Sequence, residues 1–251
     1  MNLAILISGS GTTMEAVITA IKEGRLTNIN PAIVVSSDST AGGLEKAKKL
    51  GIKSIIVERK KYSSQEEFGN ALLDIFHSNN VDFISQNGWH PLMPKNVIDK
   101  FLNKIINQHP GPLDPGYPDF GGKNMYGLRV TCARLGYIAL VHADLWTESV
   151  IHYVNEKYDK GKLIQIKPLG IRDAFFVNDI NGLRKKSDIL KKHSEEIQKK
   201  LFPLEYEDVI EVLQEFANGK NPIYERKHRL IREENFSQLE EAKKLAIELF
   251  T

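Results

Sequence analysis

The sequence predicts an α/β fold: an open, mostly parallel, Rossmann-like sheet flanked by helices, with a helical extension at the carboxyl end. Three observations carry this expectation. Short, nearly all-apolar runs recur through residues 1–110, the pattern of strands covered on both faces. Between them lie longer stretches with apolar residues at helical spacing, bounded by capping and stop residues. The two patterns alternate, and strand–helix–strand units close by right-handed crossovers into a parallel sheet.

The elements run in order along the chain. NLAILIS (2–8) is the first strand, and TTMEAVITAIKEG (12–24) the first helix, with Thr12 or Thr13 able to cap it and Gly24 to stop it. PAIVVSSD (31–38) is the second strand, AGGLEKAKKLG (41–51) a helix closing at Gly51, and KSIIVE (53–58) the third strand. In SSQEEFGNALLDIFHSN (63–79), Ser63 or Ser64 with Glu66 or Glu67 forms a capping box that starts a further helix. VDFISQNG (81–88) and KIINQH (104–109) are the fourth and fifth strands, separated by the helical PKNVIDKFLN (94–103).

Beyond residue 116 the pattern lapses. YPDFGGKNMYGLRVTCARLG (117–136) holds four glycines and mixed polarity, so residues 117–148 read as a long lid or binding loop. IALVHADLWTESVIHYVNEKYDKGKLIQIKPL (138–169) reads as two or three strands. The expected domain covers 1–220. The extension, 221–251, is an extended segment followed by an amphipathic helix (237–250) whose Leu239, Ala242, Leu245, Ala246 and Leu249 suit packing on the domain or on a second subunit, so a homodimer is allowed.

Composition bounds the function. With 34 basic and 32 acidic residues the net charge is only +2, which sets up no field for nucleic acid or an anionic membrane; neither is expected as a partner. The single Cys132 forms no intrachain disulfide, and the amino terminus carries neither signal peptide nor membrane span, so the expected compartment is the cytoplasm. No metal site is expected, because His142 and His152 lack a third ligand at suitable spacing.

In open parallel sheets, loops leaving the carboxyl ends of strands build the ligand site. Two such loops stand out. In ISGSGTTME, Gly11, Thr12 and Thr13 join the first strand to a helix amino terminus, where backbone amides favour a phosphate or other anion. A dinucleotide is disfavoured, since Met14 stands where the third glycine of G-x-G-x-x-G belongs. In IINQHPGPLDPG, the polar Asn107, Gln108 and His109 end a central strand, and Pro110, Pro112 and Pro115 stiffen the loop after it. Taken singly, His109 reads equally as a residue satisfying a local turn, and Asp159, before Lys160 and Gly161, as a hairpin-turn residue.

Together these segments carry a resemblance. ISGSGTT (7–13), NQHPGPLDP (107–115) and HYVNEKYDKG (152–161), in this order and at these separations, resemble the folate-dependent formyltransferase superfamily, most closely the members that formylate glycinamide ribonucleotide in purine synthesis. The likeness covers roughly residues 1–169 and implies a formyltransferase fold with an amine-substrate half (about 1–80) and a folate and catalytic half (about 81–220). It implies that Asn107 and His109 stabilise a tetrahedral intermediate and that Asp159 assists proton transfer. Gly11, Thr12 and Thr13 would hold the substrate phosphate, with Thr13 in place of the family's Asn. Gly88, Trp89, His90 and Leu92 would form the folate pocket, and backbone groups of Asn155 and Glu156 would read the pterin. The co-substrate would be 10-formyltetrahydrofolate, with small-molecule partners only and no bound cofactor.

Two departures concern the acceptor. Gln65 stands where the family has a phosphate-binding Arg, so Arg59, Lys60 or Lys61 would substitute. The family's substrate-gripping carboxylate aligns near Gln198, with Glu195 and Glu196 close by. Three other readings stay open on the sequence: formyl transfer to another amine such as an amino sugar nucleotide, hydrolysis of 10-formyltetrahydrofolate, and a non-catalytic nucleotide-binding module.

Overall fold

The computed structural model describes residues 1–250. Seven strands, β1 (Asn2–Ile7), β2 (Asn30–Ser36), β3 (Ser54–Ile56), β4 (Phe83–Gln86), β5 (Ile105–His109), β6 (Trp146–Tyr153) and β7 (Leu163–Gly170), form one sheet in the order β3-β2-β1-β4-β5-β6-β7. β3 to β5 run parallel, whereas β6 and β7 form an antiparallel edge. The open, mostly parallel sheet is thus borne out.

β1 shows why its all-apolar run makes a central strand. Leu3, Ile5 and Ile7 point into one core and Ala4 and Leu6 into another, so both faces are dry. The first core is closed by α1 (Thr12–Lys22) and the end of α7 (Ser187–Ala217), through Met14, Val17, Ile18, Val209, Leu213 and Phe216. The second is closed by α3 (Gln65–Ser78) and α4 (Lys95–Lys100), through Phe68, Leu72, Phe76 and Val97. The short α2 (Gly43–Lys49) connects β2 to β3.

Caps agree with the sequence with one change of residue. Ser64 caps α3 by accepting from Glu67 N at 3.0 Å, and Glu67 returns a carboxylate to Ser63 N at 2.8 Å, so the capping box is spread over both serines. At α1 neither threonine caps; Gly11 takes the N-cap position with φ +66. That left-handed backbone suits glycine, and a side chain would also collide, since an added Cβ would lie 2.7 Å from Gly43 Cα.

The stretch expected to be a long loop is largely helical. Leu128–Val141 forms α5, and only residues 110–127 run irregularly before it. Every residue from Val130 to Ala139 is buried, so α5 lacks the polar face that marks a surface helix, and glycines at both 127 and 136 disguise it further. IALV therefore belongs to a helix, and 138–169 contributes two strands, not three. Within α5 the fully buried Arg134 donates to the carbonyls of Trp146 and Asp144, both at 2.8 Å, and its guanidinium stacks 4.6 Å from the Trp146 ring. Cys132 is buried in the same helix, and burial pushes its thiol up to about 12.

α5 packs against α7, α8 (Phe236–Leu249) and the short α6 (Ile180–Lys185) in a third core. Leu239, Ala242, Leu245 and Ala246 of α8 are buried there, and Leu249 is partly covered. The apolar face of the carboxyl-terminal helix is thus spent within the chain rather than left for a second subunit. The two leucines alone contribute on the order of 1.5–3 kcal/mol each to holding it.

No helix among the described residues is long and apolar enough to cross a membrane.

Candidate active site

The strand order changes direction between β1 and β4, the crevice position favoured for ligands in open α/β sheets. The loops leaving β1, β4 and β5 meet there around a cavity of about 520 Å3. Gly9 to Thr13, Asn87 to His90 and Asn107 to Pro110 line it, residues 122–128 roof it, and Tyr158 and Asp159 enter from the β6–β7 connection. Ser8 ties the loops together: its Oγ accepts from His90 N at 2.9 Å and lies 2.6 Å from Ser37 Oγ.

β5 delivers the first two chemical groups, and its antiparallel pairing with β6 places His152 opposite Asn107. Asn107 Nδ2 lies 3.0 Å from His152 Nε2 and donates to Asp159 Oδ1 at 3.4 Å. Asp159 Oδ2 is 3.9 Å from His109 Nε2 and accepts from Gly122 N at 2.9 Å. Three residues separated by up to 52 positions thus converge on one carboxylate.

The local backbone makes this convergence possible. Asp159 has φ +55, the left-handed turn conformation that Asp tolerates better than most side chains. Gly161 lets the chain pass tightly behind it, since a Cβ there would lie 1.6 Å from Tyr153 O.

Tautomers are set by the partners. The carbonyls of Gly111 and Tyr153 can only accept, so the hydrogens sit on Nδ1 of His109 (2.9 Å) and of His152 (2.8 Å). In the neutral rings each Nε2 is then an acceptor; that of His152 receives the Asn107 amide, and that of His109 is buried with no hydrogen-bond partner among the described residues.

Burial lowers the His109 pKa, against the opposing pull of Asp159, so the ring is neutral at neutral pH. The Asp159 carboxylate, which by itself would raise the His109 pKa, is outweighed by desolvation. Burial also works against the Asp159 carboxylate, but His109, His152 and the Gly122 amide outweigh it and bring the pKa down to about 2. The share owed to His109 exists only when that ring is protonated, whereas the Gly122 hydrogen bond acts in either state.

The inner wall is polar. Gln198, Phe202 and Glu205 lie on one face of α7 at i, i+4 and i+7 and line the cavity. Thr131 donates to Gln198 Oε1 at 2.7 Å, and Gln198 donates to Glu205 Oε1 at 3.2 Å. Glu195 and Glu196 do not line the cavity, so the α7 carboxylate facing it is Glu205, a residue the sequence pattern did not single out. Burial raises its pKa to about 8 against the Gln198 hydrogen bond, so the group is protonated at neutral pH.

A raised carboxyl pKa destabilises the folded state progressively as pH climbs from the ordinary glutamate value of 4.5 to about 8, because the unfolded chain releases a proton that the folded chain retains. Asp208, raised to about 6 by burial, adds to the lower part of that window. Glu205→Gln is expected to flatten the fall of Tm across pH 5–8 measured by circular dichroism. Superimposable pH–Tm curves for variant and wild type would show that Glu205 is not buried as the acid.

Other expected residues divide. Gly11, Thr12, Thr13, Gly88, Trp89 and His90 line the cavity. Trp89 is also core, 7% exposed and stacked parallel to Phe68 at 6.3 Å. Leu92 does not line it, and Asn155 and Glu156 border a separate depression with Tyr117 and Lys160. There Asn155 Nδ2 donates to Lys160 O at 2.8 Å, and Glu156 pairs with Lys95 at 3.1 Å.

The expected substitutes for the missing Arg are occupied elsewhere: Arg59 donates to Tyr62 O at 2.7 Å, while Lys60 and Lys61 both pair with Glu58. The cation that lines the cavity is Lys123, exposed in the roof loop, and the same cavity is lined by the tilted His90 and Tyr126 rings, 4.4 Å apart. Among the described residues no group of three or more His, Cys, Asp or Glu is placed to hold a metal.

Comparison with known proteins identifies relatives of the whole fold. The chloroplastic phosphoribosylglycinamide formyltransferase of Arabidopsis thaliana is 29% identical over 163 residues, 64% of this chain and 52% of the plant protein. The phosphoribosylglycinamide formyltransferase of Haemophilus influenzae is 30% identical over 162 residues, 64% of this chain and 69% of that protein. This chain therefore spans about half the length of its plant relative. Among solved structures, the phosphoribosylglycinamide formyltransferase of Coxiella burnetii superposes with a TM-score of 0.69 at 26% identity, covering 90% of both chains. The family model for formyl transferase matches residues 1–173, a span that includes β1 to β7 with Asn107, His109 and Asp159, and the chain belongs to the formyl transferase family.

Proposed function

We propose that this protein transfers the formyl group of 10-formyltetrahydrofolate to the amine of glycinamide ribonucleotide. The observation that carries the reading is the meeting of Asn107, His109 and Asp159 in one cavity with the Gly11–Thr13 loop, so that a reacting amine and its phosphate are both provided for. The names of the relatives support the same acceptor.

The chemistry requires an amine nitrogen to bond to the formyl carbon while the carbonyl electron pair moves onto oxygen. Collapse of that tetrahedral species breaks the bond to the folate nitrogen, which gains one proton as the amine loses one. Asn107 donates to the developing oxyanion by giving up its longer, 3.4 Å bond to Asp159. His109 donates from Nε2 once protonated, and the adjacent carboxylate lowers the cost of that proton. Asp159, ionised and within reach of both, takes the amine proton and passes it toward the leaving nitrogen.

Gly11, Thr12 and Thr13 present the amino terminus of α1 to the phosphate, and Lys123 supplies the charge that Arg59, Lys60 and Lys61 do not. Gly88, Trp89 and His90 face the folate side. Lys123→Ala is expected to raise the KM for the ribonucleotide about tenfold with kcat little changed, the loss of one charged hydrogen bond. An unchanged KM would place the phosphate elsewhere.

The product decides the reaction. Mass spectrometry of a mixture with 10-formyltetrahydrofolate and glycinamide ribonucleotide is expected to find the formylated ribonucleotide. Free formate as the sole product would mean a hydrolase instead.

A further inference from the structure

The carboxyl-terminal helix reaches the candidate site through Lys243. Lys243 of α8 donates from Nζ to the carbonyl oxygens of Asp119 and Gly121, each at 3.0 Å. The Gly121 carbonyl belongs to the same planar peptide as the Gly122 N–H, which donates to Asp159 Oδ2 at 2.9 Å. An ammonium on one side of this peptide therefore faces a carboxylate on the other, and hydrogen bonds aligned in series polarise one another.

The remaining contacts make the arrangement directional. Among the described residues Lys243 forms no salt bridge, so its charge is spent on these carbonyls. The Asp119 carboxylate is already taken by the amides of Asp114 and Gly121 and by Lys160 Nζ at 2.8 Å. The helix that carries Lys243 is held by its buried apolar face against α5.

We infer that Lys243 is a positioning residue: by gripping the Gly121 carbonyl it orients and polarises the peptide whose N–H fixes the Asp159 carboxylate. α8 lies outside the 1–173 family match, so this device belongs to the part of the chain beyond it. Its effect on turnover rests on the formyl-transfer role proposed for Asp159; its effect on the Gly122 amide does not.

Two readouts test it. In hydrogen–deuterium exchange, Lys243→Met is expected to speed exchange of the Gly122 amide by at least about tenfold, with Lys243→Arg close to wild type. Unchanged protection in the methionine variant, with or without any enzymatic activity, would overturn the inference. In formyl-transfer kinetics, Lys243→Met is expected to lower kcat about tenfold with acceptor KM within about twofold, and to add nothing in an Asp159→Asn background. A further multiplicative loss in that background would mark a general structural role and overturn it. A wild-type protein without formyl transfer would sink the proposed activity, while the exchange result would still decide the peptide linkage.

Discussion

Asp159→Asn is expected to lower kcat for formyl transfer by about 10²- to 10⁴-fold, the usual share of a positioned proton-transfer group. The substitution preserves shape, and Asn Oδ1 can still accept from Gly122 N. What it removes is the charge, and with it the site that receives the amine proton. Substrate KM values should stay within a few-fold.

Stability gives an independent check of the sign. Ionised Asp159 has a depressed pKa, so its stabilising contribution is present above the ordinary value of 3.8 and is lost as pH falls toward about 2. Acid unfolding of the Asn variant should therefore depend less on pH across that interval. Wild-type turnover in the variant would remove Asp159 from the mechanism.

His109→Ala is the second large effect, expected at about 10²- to 10³-fold in kcat, the range for loss of one oxyanion donor. The ring is 2% exposed and held by Gly111 O, so truncation also leaves a small void and an unpaired carbonyl. His109→Asn separates the two consequences, since it restores a polar partner for Gly111 without an imidazole. Both variants should lose turnover, and the Asn form should recover more of the Tm. Because His109 and Asp159 act on the same intermediate, the double variant should fall well short of the product of the two losses. Single-turnover rates within about tenfold of wild type in His109→Ala would be incompatible with the role assigned to it.

The parallel sheet was legible because each strand from β1 to β4 is followed by a turn or cap signal before the next helix. Asn107 and His109 were legible as strand-end polar groups, and Asp159 only through the spacing of HYVNEKYDKG, since alone it looks like a turn residue. α5 was not, because a helix buried on every side has no amphipathic period to read. Glu205, Lys123 and Lys243 escaped for another reason. Each is brought to its place only by the tertiary fold, from the middle of a helix interrupted by Pro203, from a glycine-rich loop, and from the charged face of an amphipathic helix that reads as solvated. Leu92, Asn155 and Glu156 show the converse: these positions, carried by resemblance of segments, do not line the cavity.

The most direct test monitors tetrahydrofolate formation spectrophotometrically from 10-formyltetrahydrofolate, with and without glycinamide ribonucleotide, for wild type and Asp159→Asn. Formyl transfer by Asn107, His109 and Asp159 predicts release that requires the ribonucleotide and nearly vanishes in the variant. Release that proceeds equally without the ribonucleotide, or that survives Asp159→Asn, would contradict it.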